Sequence, residues 1–384
     1  MKSLPQSLVD KLAERSRNNS LRVLGCEHTM ADFCSNDYLG FSASRLIFDG
    51  AHKYLLQNNI VHNGATGSRL ISGNHGLYTI TERYLAAFHN TDSALVFNSG
   101  YDANVGFFSC VPQKGDVVLY DEYIHASIRD GIRLSNASAY KFTHNNIEVL
   151  TEALKRHRER SLEAEVFIVT ESVFSMDGDS PNLHALVLLC AEYNCRLVVD
   201  EAHALGVFGN KGEGMVQQLG LQDKVFARIV TFGKGLGCHG AAVLGSAGLK
   251  RYLTNYARSF IYTTGLPPHS LATILTAYNY LEQCVEERNK LKDIISFFKS
   301  EIERLQLKSF INSDSSIHCM VISGNENVKN ISSVLQEKGF GVKAILSPTV
   351  PQGQERLRFC LHSFNTPEQI TQMLELLSSS LPSS

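Results

Sequence analysis

RLVVDEAHALGVFG, residues 196–209, and ARIVTFGKGLGCHGAAVLG, residues 227–245, decide the fold of this chain. Each opens on a short apolar run with little polar alternation, and each run stops abruptly at polar or glycine-bearing sequence. A strand without alternation is covered on both faces, which points to a parallel sheet inside a layered α/β fold. Working outward, runs of the same kind occur at SALVFNSG (93–100), DVVLYDEY (116–123), SAYKFTHN (138–145) and EVFIVTES (165–172). Stretches with apolar residues at helical spacing lie between them, such as NIEVLTEALKRHRER (146–160) and LHALVLLCAEYN (183–194). The expected architecture is therefore a mostly parallel central sheet with helices on both faces. Its ligands belong beyond the carboxyl ends of the strands, at NSG, TES, DEAH and TFGK. After TTGLPP (263–268) the texture changes to a long helical stretch followed by short strands. The sequence thus predicts a large domain over 41–266 and a smaller α+β domain over 267–384. The helix and segment at 1–40 are expected to pack on the smaller domain.

Composition narrows the function. With 384 residues, 43% hydrophobic and 19% charged, the chain is globular and long enough for two domains. Its 36 basic and 38 acidic residues give a net charge of −2, which offers no footprint for nucleic acid or an anionic membrane. Nine scattered cysteines, with no CxxC pair, argue against a disulfide framework or a bound metal and for a reducing compartment. The N-terminus has no apolar signal region, and no window approaches 18 uncharged apolar residues, so a cytoplasmic protein is expected.

Lys234 follows an apolar strand and is flanked by glycines at 233, 235, 237 and 240. Glycine admits a flat ligand close to the backbone, and burial moves an amine toward its nucleophilic neutral form. Asp200 ends RLVV, where a partly buried carboxylate needs a partner such as a pyridinium nitrogen. His203, three residues on, is a candidate donor to the phenolic oxygen of such a ring. Gly100 and Tyr101 open a probable helix after SALVF, a ready site for a phosphate, with the Thr231 hydroxyl nearby in sequence space to Lys234. Ser175, in TESVFSMDGD, and His125, in DEYIHASIRDG, also lie just beyond strands; the imidazole suits the face of a ring. Taken singly these residues have plainer readings: a snorkelling lysine, a metal pair or capped turn in DxxH, an ordinary helix cap. A nucleotide-binding module is the competing class, but no acidic ribose-binding residue follows GKGLGCHG at the required place.

Together, TFGKGLGCHGAAV, VVDEAHALGVFG, TESVFSMDGD, HASIRDG, CSNDYLGF and GSRLISGN resemble the α-oxoamine synthase family, a branch of the fold-type-I pyridoxal-phosphate transferases. The likeness runs from about residue 20 to 375. It implies pyridoxal 5'-phosphate held as a Schiff base on Lys234, Asp200 on the pyridine nitrogen, His203 on the phenolic oxygen and His125 stacked on the ring. Ser175, Thr231, Gly100 and Tyr101 are implied as further cofactor contacts. Thr263 and Thr264 are implied to reach the phosphate of a neighbouring subunit in a homodimer with shared sites. Asn36 and Arg358 match residues that hold the amino acid's carboxylate, and Arg22 and Thr349 match acyl-substrate contacts. The family joins an amino acid to an acyl thioester with loss of CO2. Within it the likeness in TFGKGLGCHGAAV, GSRLISGN and SPTVPQGQERLRF (347–359) is to members that join L-alanine to a pimeloyl group carried on coenzyme A or an acyl carrier protein. NGATGSRL (63–70) departs from the family pattern at Ala65 and Thr66, near where the amino acid is selected. Glycine-using and serine-using members are the alternatives.

Overall fold

The structure, a computed structural model, describes residues 4–22, 24, 29–160 and 163–381. The six apolar runs, with AAVLG (241–245) as a seventh, are strands of one sheet: β1 (Ser93–Phe97), β2 (Val117–Asp121), β3 (Ser138–Phe142), β4 (Val166–Glu171), β5 (Arg196–Asp200), β6 (Ala227–Thr231) and β7 (Ala241–Gly245). Their spatial order is β1-β7-β6-β5-β4-β2-β3. Strands β6, β5, β4, β2 and β3 run parallel, and β7 is antiparallel to both β1 and β6. Every residue of β4 is buried, as a strand covered on both faces must be. A core of Leu95, Phe107, Phe108, Val169, Val198 and Ile229 packs on the sheet.

The chain divides into two units. The large one comprises Asn36–Ser175 and Ser180–Arg288; the small one comprises Met1–Ser35, Met176–Asp179 and Asn289–Ser384. The boundary thus falls at 288/289 rather than near 267, and at 35/36 rather than at 40. The physical reason is the helix Pro268–Gln283, which buries Leu271, Ile274, Leu275, Tyr278 and Leu281. It packs on the helices Arg45–Gln57 and Gly76–Phe88 of the large unit. The prolines at 267–268 start that helix; they do not mark a linker.

In the small unit β8 (Ile317–Val321), β9 (Lys343–Ile345) and β10 (Arg356–Cys360) form an antiparallel sheet in the order β9-β10-β8. Ala31–Asp32 pairs in parallel with Phe340–Gly341. The mid-chain segment Met176–Asp179 is fixed by a buried ion pair between Asp177 and Arg356. The Ser313 and Ser315 hydroxyls both donate to the Gly178 carbonyl, at 2.8 and 2.9 Å. Among the described residues no helix is long and apolar enough to cross a membrane.

Candidate active site

Strand register builds the site. Within the parallel part of the sheet, Glu171 at the end of β4 lies opposite Asp200 at the end of β5. Two helices begin beyond the ends of β1 and β2, strands that lie apart in the sheet. Gly100–Cys110 is capped by Ser99, whose Oγ accepts from the Asp102 N–H at 3.0 Å. Ala126–Leu134 is capped by His125. Between these termini and the strand ends lies a cavity of about 280 Å3, and Lys234, Asp200, His203, His125, Gly100 and Thr231 are on its wall.

Lys234 stands in a turn pressed between two other backbone segments. Gly237 has φ +57°, and a Cβ there would strike the backbone of Phe41 and Ser42. A Cβ on Gly235 would strike the Leu205 carbonyl. The lysine's position is thus set by backbone contacts that only glycine allows. Lys234 Nζ is 3.0 Å from His203 Nε2, and His203 Nδ1 is 2.6 Å from the Tyr38 hydroxyl. Tyr38 in turn donates to Asn36 Oδ1 at 3.2 Å. With that proton directed at Asn36, His203 donates from Nδ1 to Tyr38 and presents Nε2 to the lysine.

Asp200 is buried, and its two oxygens accept from Asn104 Nδ2 at 2.8 Å and from the Ala202 N–H at 2.9 Å. Asn104 Nδ2 also donates to Ser127 Oγ at 3.0 Å, and Ser127 Oγ lies 2.7 Å from His125 Nδ1. A relay of short bonds therefore joins the Asp200 carboxylate to the His125 ring. Burial above all holds the His125 pKa below its ordinary value, so the ring is neutral near pH 7. Glu171 is fully enclosed, and its Oε1 accepts the His125 N–H at 2.5 Å. Burial, with Asp200 adding to it, pushes its pKa well up.

The other expected residues fall in several places. Asn36 and Tyr101 line the cavity; the Tyr101 hydroxyl turns to Asp130, at 2.8 Å. Ser175 is buried at the end of the large unit's segment Asn36–Ser175 but is not on the cavity wall. Thr263 and Thr264 also lie off the wall; both accept from Asn98 Nδ2, through a hydroxyl at 3.1 Å and a carbonyl at 2.6 Å. Arg22, Thr349 and Arg358 belong to the small unit. There Arg22 Nη2 donates to Thr349 Oγ1 at 3.3 Å, and Arg358 is buried on β10.

Asn104, Ser127, Glu171, Tyr38 and His239 also line or brace the cavity and were not singled out from sequence. Two of them carry a legible signal. Asn104 follows Gly100 by four residues, one helical turn, so the two share a face. Glu171 ends the strand run EVFIVTE just as Asp200 ends RLVVD.

The residues fit pyridoxal phosphate. A helix N-terminus with Thr231 beside it suits the phosphate. Gly100 is held so close to Thr231 that a Cβ would meet the threonine methyl. A buried carboxylate suits a pyridinium, and a lysine faces the same cavity. Among the described residues the buried Asn104 Oδ1 has no hydrogen-bond partner.

Known proteins agree with this geometry. Residues 28–377 match the family model for aminotransferase class I and II. An 8-amino-7-oxononanoate synthase of Emericella nidulans is 42% identical over 395 residues, covering 97% of this chain and 96% of that one. The solved 8-amino-7-oxononanoate synthase from Francisella tularensis has a TM-score of 0.78 at 30% identity, covering 92% of this chain and 98% of that one. The serine palmitoyltransferase from S. paucimobilis, solved with pyridoxal phosphate and myriocin, has a TM-score of 0.89 at 25% identity, with 99% and 98% covered. The chain therefore belongs to the aminotransferase class I and II family, among its α-oxoamine synthases, and is a transferase whose cofactor is pyridoxal phosphate.

Proposed function

We propose that this protein condenses L-alanine with a pimeloyl thioester to give 8-amino-7-oxononanoate, CO2 and the free thiol. The observation that carries the reading is the 42% identity, over nearly the whole chain, to a protein of that name. The cavity supports it with a lysine, a buried carboxylate and two imidazoles at one set of strand ends.

When bound, pyridoxal phosphate supplies an electron sink for negative charge at the amino acid's α-carbon. The Asp200 carboxylate, held by Asn104 and the Ala202 N–H, keeps a proton on the ring nitrogen. His203 would meet the phenolic oxygen through Nε2, the nitrogen it presents to the cavity, and would donate to it when Nδ1 accepts the Tyr38 proton instead. His125, oriented by Ser127 and neutral, covers the ring face and excludes water. Asn36, on the cavity wall, binds the alanine carboxylate; the family likeness gives Arg358 a carboxylate-binding role as well, and its guanidinium suits two parallel bonds. Lys234 Nζ takes the α-proton. The α-carbon then bonds to the thioester carbonyl carbon, and the C–S bond breaks with its electrons on sulfur, which leaves as the thiolate and takes a proton from water to become the free thiol. Next the bond to the alanine carboxylate breaks and CO2 departs. Lys234 returns the proton to the same carbon.

The enzyme acts as a homodimer in this reading, supported by exposed apolar side chains on the large unit, among them Ile71, Tyr262, Leu46 and Phe48. Alanine selection is the step most open to change, since one methyl group in a pocket is worth about 1–3 kcal/mol.

Mass-spectrometric product analysis over alanine, glycine and serine, each with pimeloyl and longer acyl thioesters, tests the reading. The highest kcat/KM is expected for alanine with pimeloyl-CoA or the pimeloyl carrier protein. A higher value for glycine, or for serine with a long acyl chain, would make it a different α-oxoamine synthase.

A further inference from the structure

A second cavity, of about 680 Å3, lies wholly on small-unit residues. Its titratable wall residues are Arg15, Arg22, Lys329 and Lys343, all cationic. Among the described residues none of the four is in an ion pair with a carboxylate. The chain as a whole carries −2, so four cations around one hollow, without a carboxylate partner among the described residues, are not an effect of composition. Like charges converging on a concave surface raise the local positive potential and favour an anion there.

The local fold brings these residues together. Beyond the helix Gln6–Arg17 and its C-cap Asn18, Asn19 has a φ of +50° that turns the chain back. Ser20 then bonds the Arg15 carbonyl through both its N–H, at 2.8 Å, and its hydroxyl, at 3.2 Å. That return sets Arg15 and Arg22 on one wall, while the Arg22 guanidinium reaches Thr349. Lys329, on the helix Asn325–Glu337, and Lys343, at the start of β9, complete the ring of charge.

We propose that this cavity holds the phosphate-bearing arm of the acyl group's carrier, with Lys329 and Lys343 recognising the phosphopantetheine phosphate. The inference rests on the thioester-condensing reading above. Arg22 and Thr349, which the family likeness assigns to the acyl substrate, occupy the same wall. A thioester seated against them has its carrier still to be accommodated, and one acyl carboxylate would leave most of the four charges unmatched. Coenzyme A and a carrier protein share this phosphate. A lysine ammonium, a compact charge on a flexible stem, suits it.

The test uses the cofactor-loaded enzyme and the double variant Lys329→Glu/Lys343→Glu. Its KM for pimeloyl-CoA is expected to rise about tenfold or more, with the KM for alanine as the internal control. The Lys329→Arg/Lys343→Arg double variant should restore the wild-type KM. Heptanoyl-CoA, which lacks the terminal carboxylate, should show the same fold rise. An unchanged KM for both thioesters overturns the proposal. So does a rise confined to pimeloyl-CoA, because the cations would then read the acyl carboxylate. Calorimetric binding of coenzyme A and of the phosphopantetheinylated carrier protein decides the matter independently of turnover. Equal affinity of wild type and double variant for both ligands overturns the site, even if the reaction proves to be another. Competition by 3',5'-ADP assigns the site to coenzyme A, and competition by 4'-phosphopantetheine alone assigns it to the carrier protein.

Discussion

Glu171 and Asp200 end adjacent strands side by side, and one cavity cannot comfortably hold two ionised carboxylates. Asp200 has Asn104 and the Ala202 N–H to stabilise its charge. Glu171 has the single N–H of His125 and complete burial, and its pKa is pushed well up. Between the ordinary glutamate pKa and this raised one, the folded protein keeps a proton that the unfolded chain gives up, so stability falls as pH rises. In Glu171→Gln that loss is absent. Denaturant unfolding of the cofactor-free protein at pH 5 and pH 8 is expected to show the variant gaining on wild type at the higher pH. A difference between the two that ignores pH contradicts a protonated Glu171. At this scale Lys234, Asp200 and His203 were legible because each ends an apolar run with glycine or a polar break. Asn104 and Ser127 were not. Their role is to pass a hydrogen bond from one side chain to another, and no local pattern encodes that.

Strands are the most legible elements here, since burial on both faces leaves an apolar run with a sharp end. The helix at 268–283 was misassigned to the second domain for a related reason: a Pro-Pro start reads as a break, whether it opens a linker or a helix. The small unit's sheet carries its own pH dependence. His318, on β8, is fully buried against the Phe298 ring, 4.8 Å between centroids, and burial lowers its pKa to about 3. The unfolded chain binds a proton near pH 6.5 that the folded one refuses, so stability is present above that value and is lost as pH falls toward 3. The loss approaches about 1.4 kcal/mol per pH unit at most. His318→Leu is expected to flatten the wild-type decline in unfolding free energy between pH 6.5 and pH 4. An unaltered decline would show that the imidazole is not the acid-sensitive group.

At the scale of the whole molecule, the proposed homodimer is open to direct measurement. Ile71 is 87% exposed and Tyr262 72%, and covering them with a second copy would take apolar area out of water. Sedimentation at micromolar concentration is expected to give about twice the chain mass of 42.5 kDa. Leu70→Asp/Ile71→Asp should move the species toward the single-chain mass. A wild type that sediments as one chain removes the shared-site reading. Nothing in hydrophobic periodicity announces this surface, because period reports which face is buried and not by what.

The interleaving of the two units has a consequence in the order of synthesis. Ala31 pairs with Phe340, a strand partner made about 300 residues later. At a typical 5–20 residues per second, roughly 15–60 s pass between the two. During that interval the large unit can be completed, since its last residue is Arg288. The first segment of the chain, with Phe33 fully enclosed in the finished protein, spends the same time without its strand. The beginning of the chain is thus among the last parts to find its place.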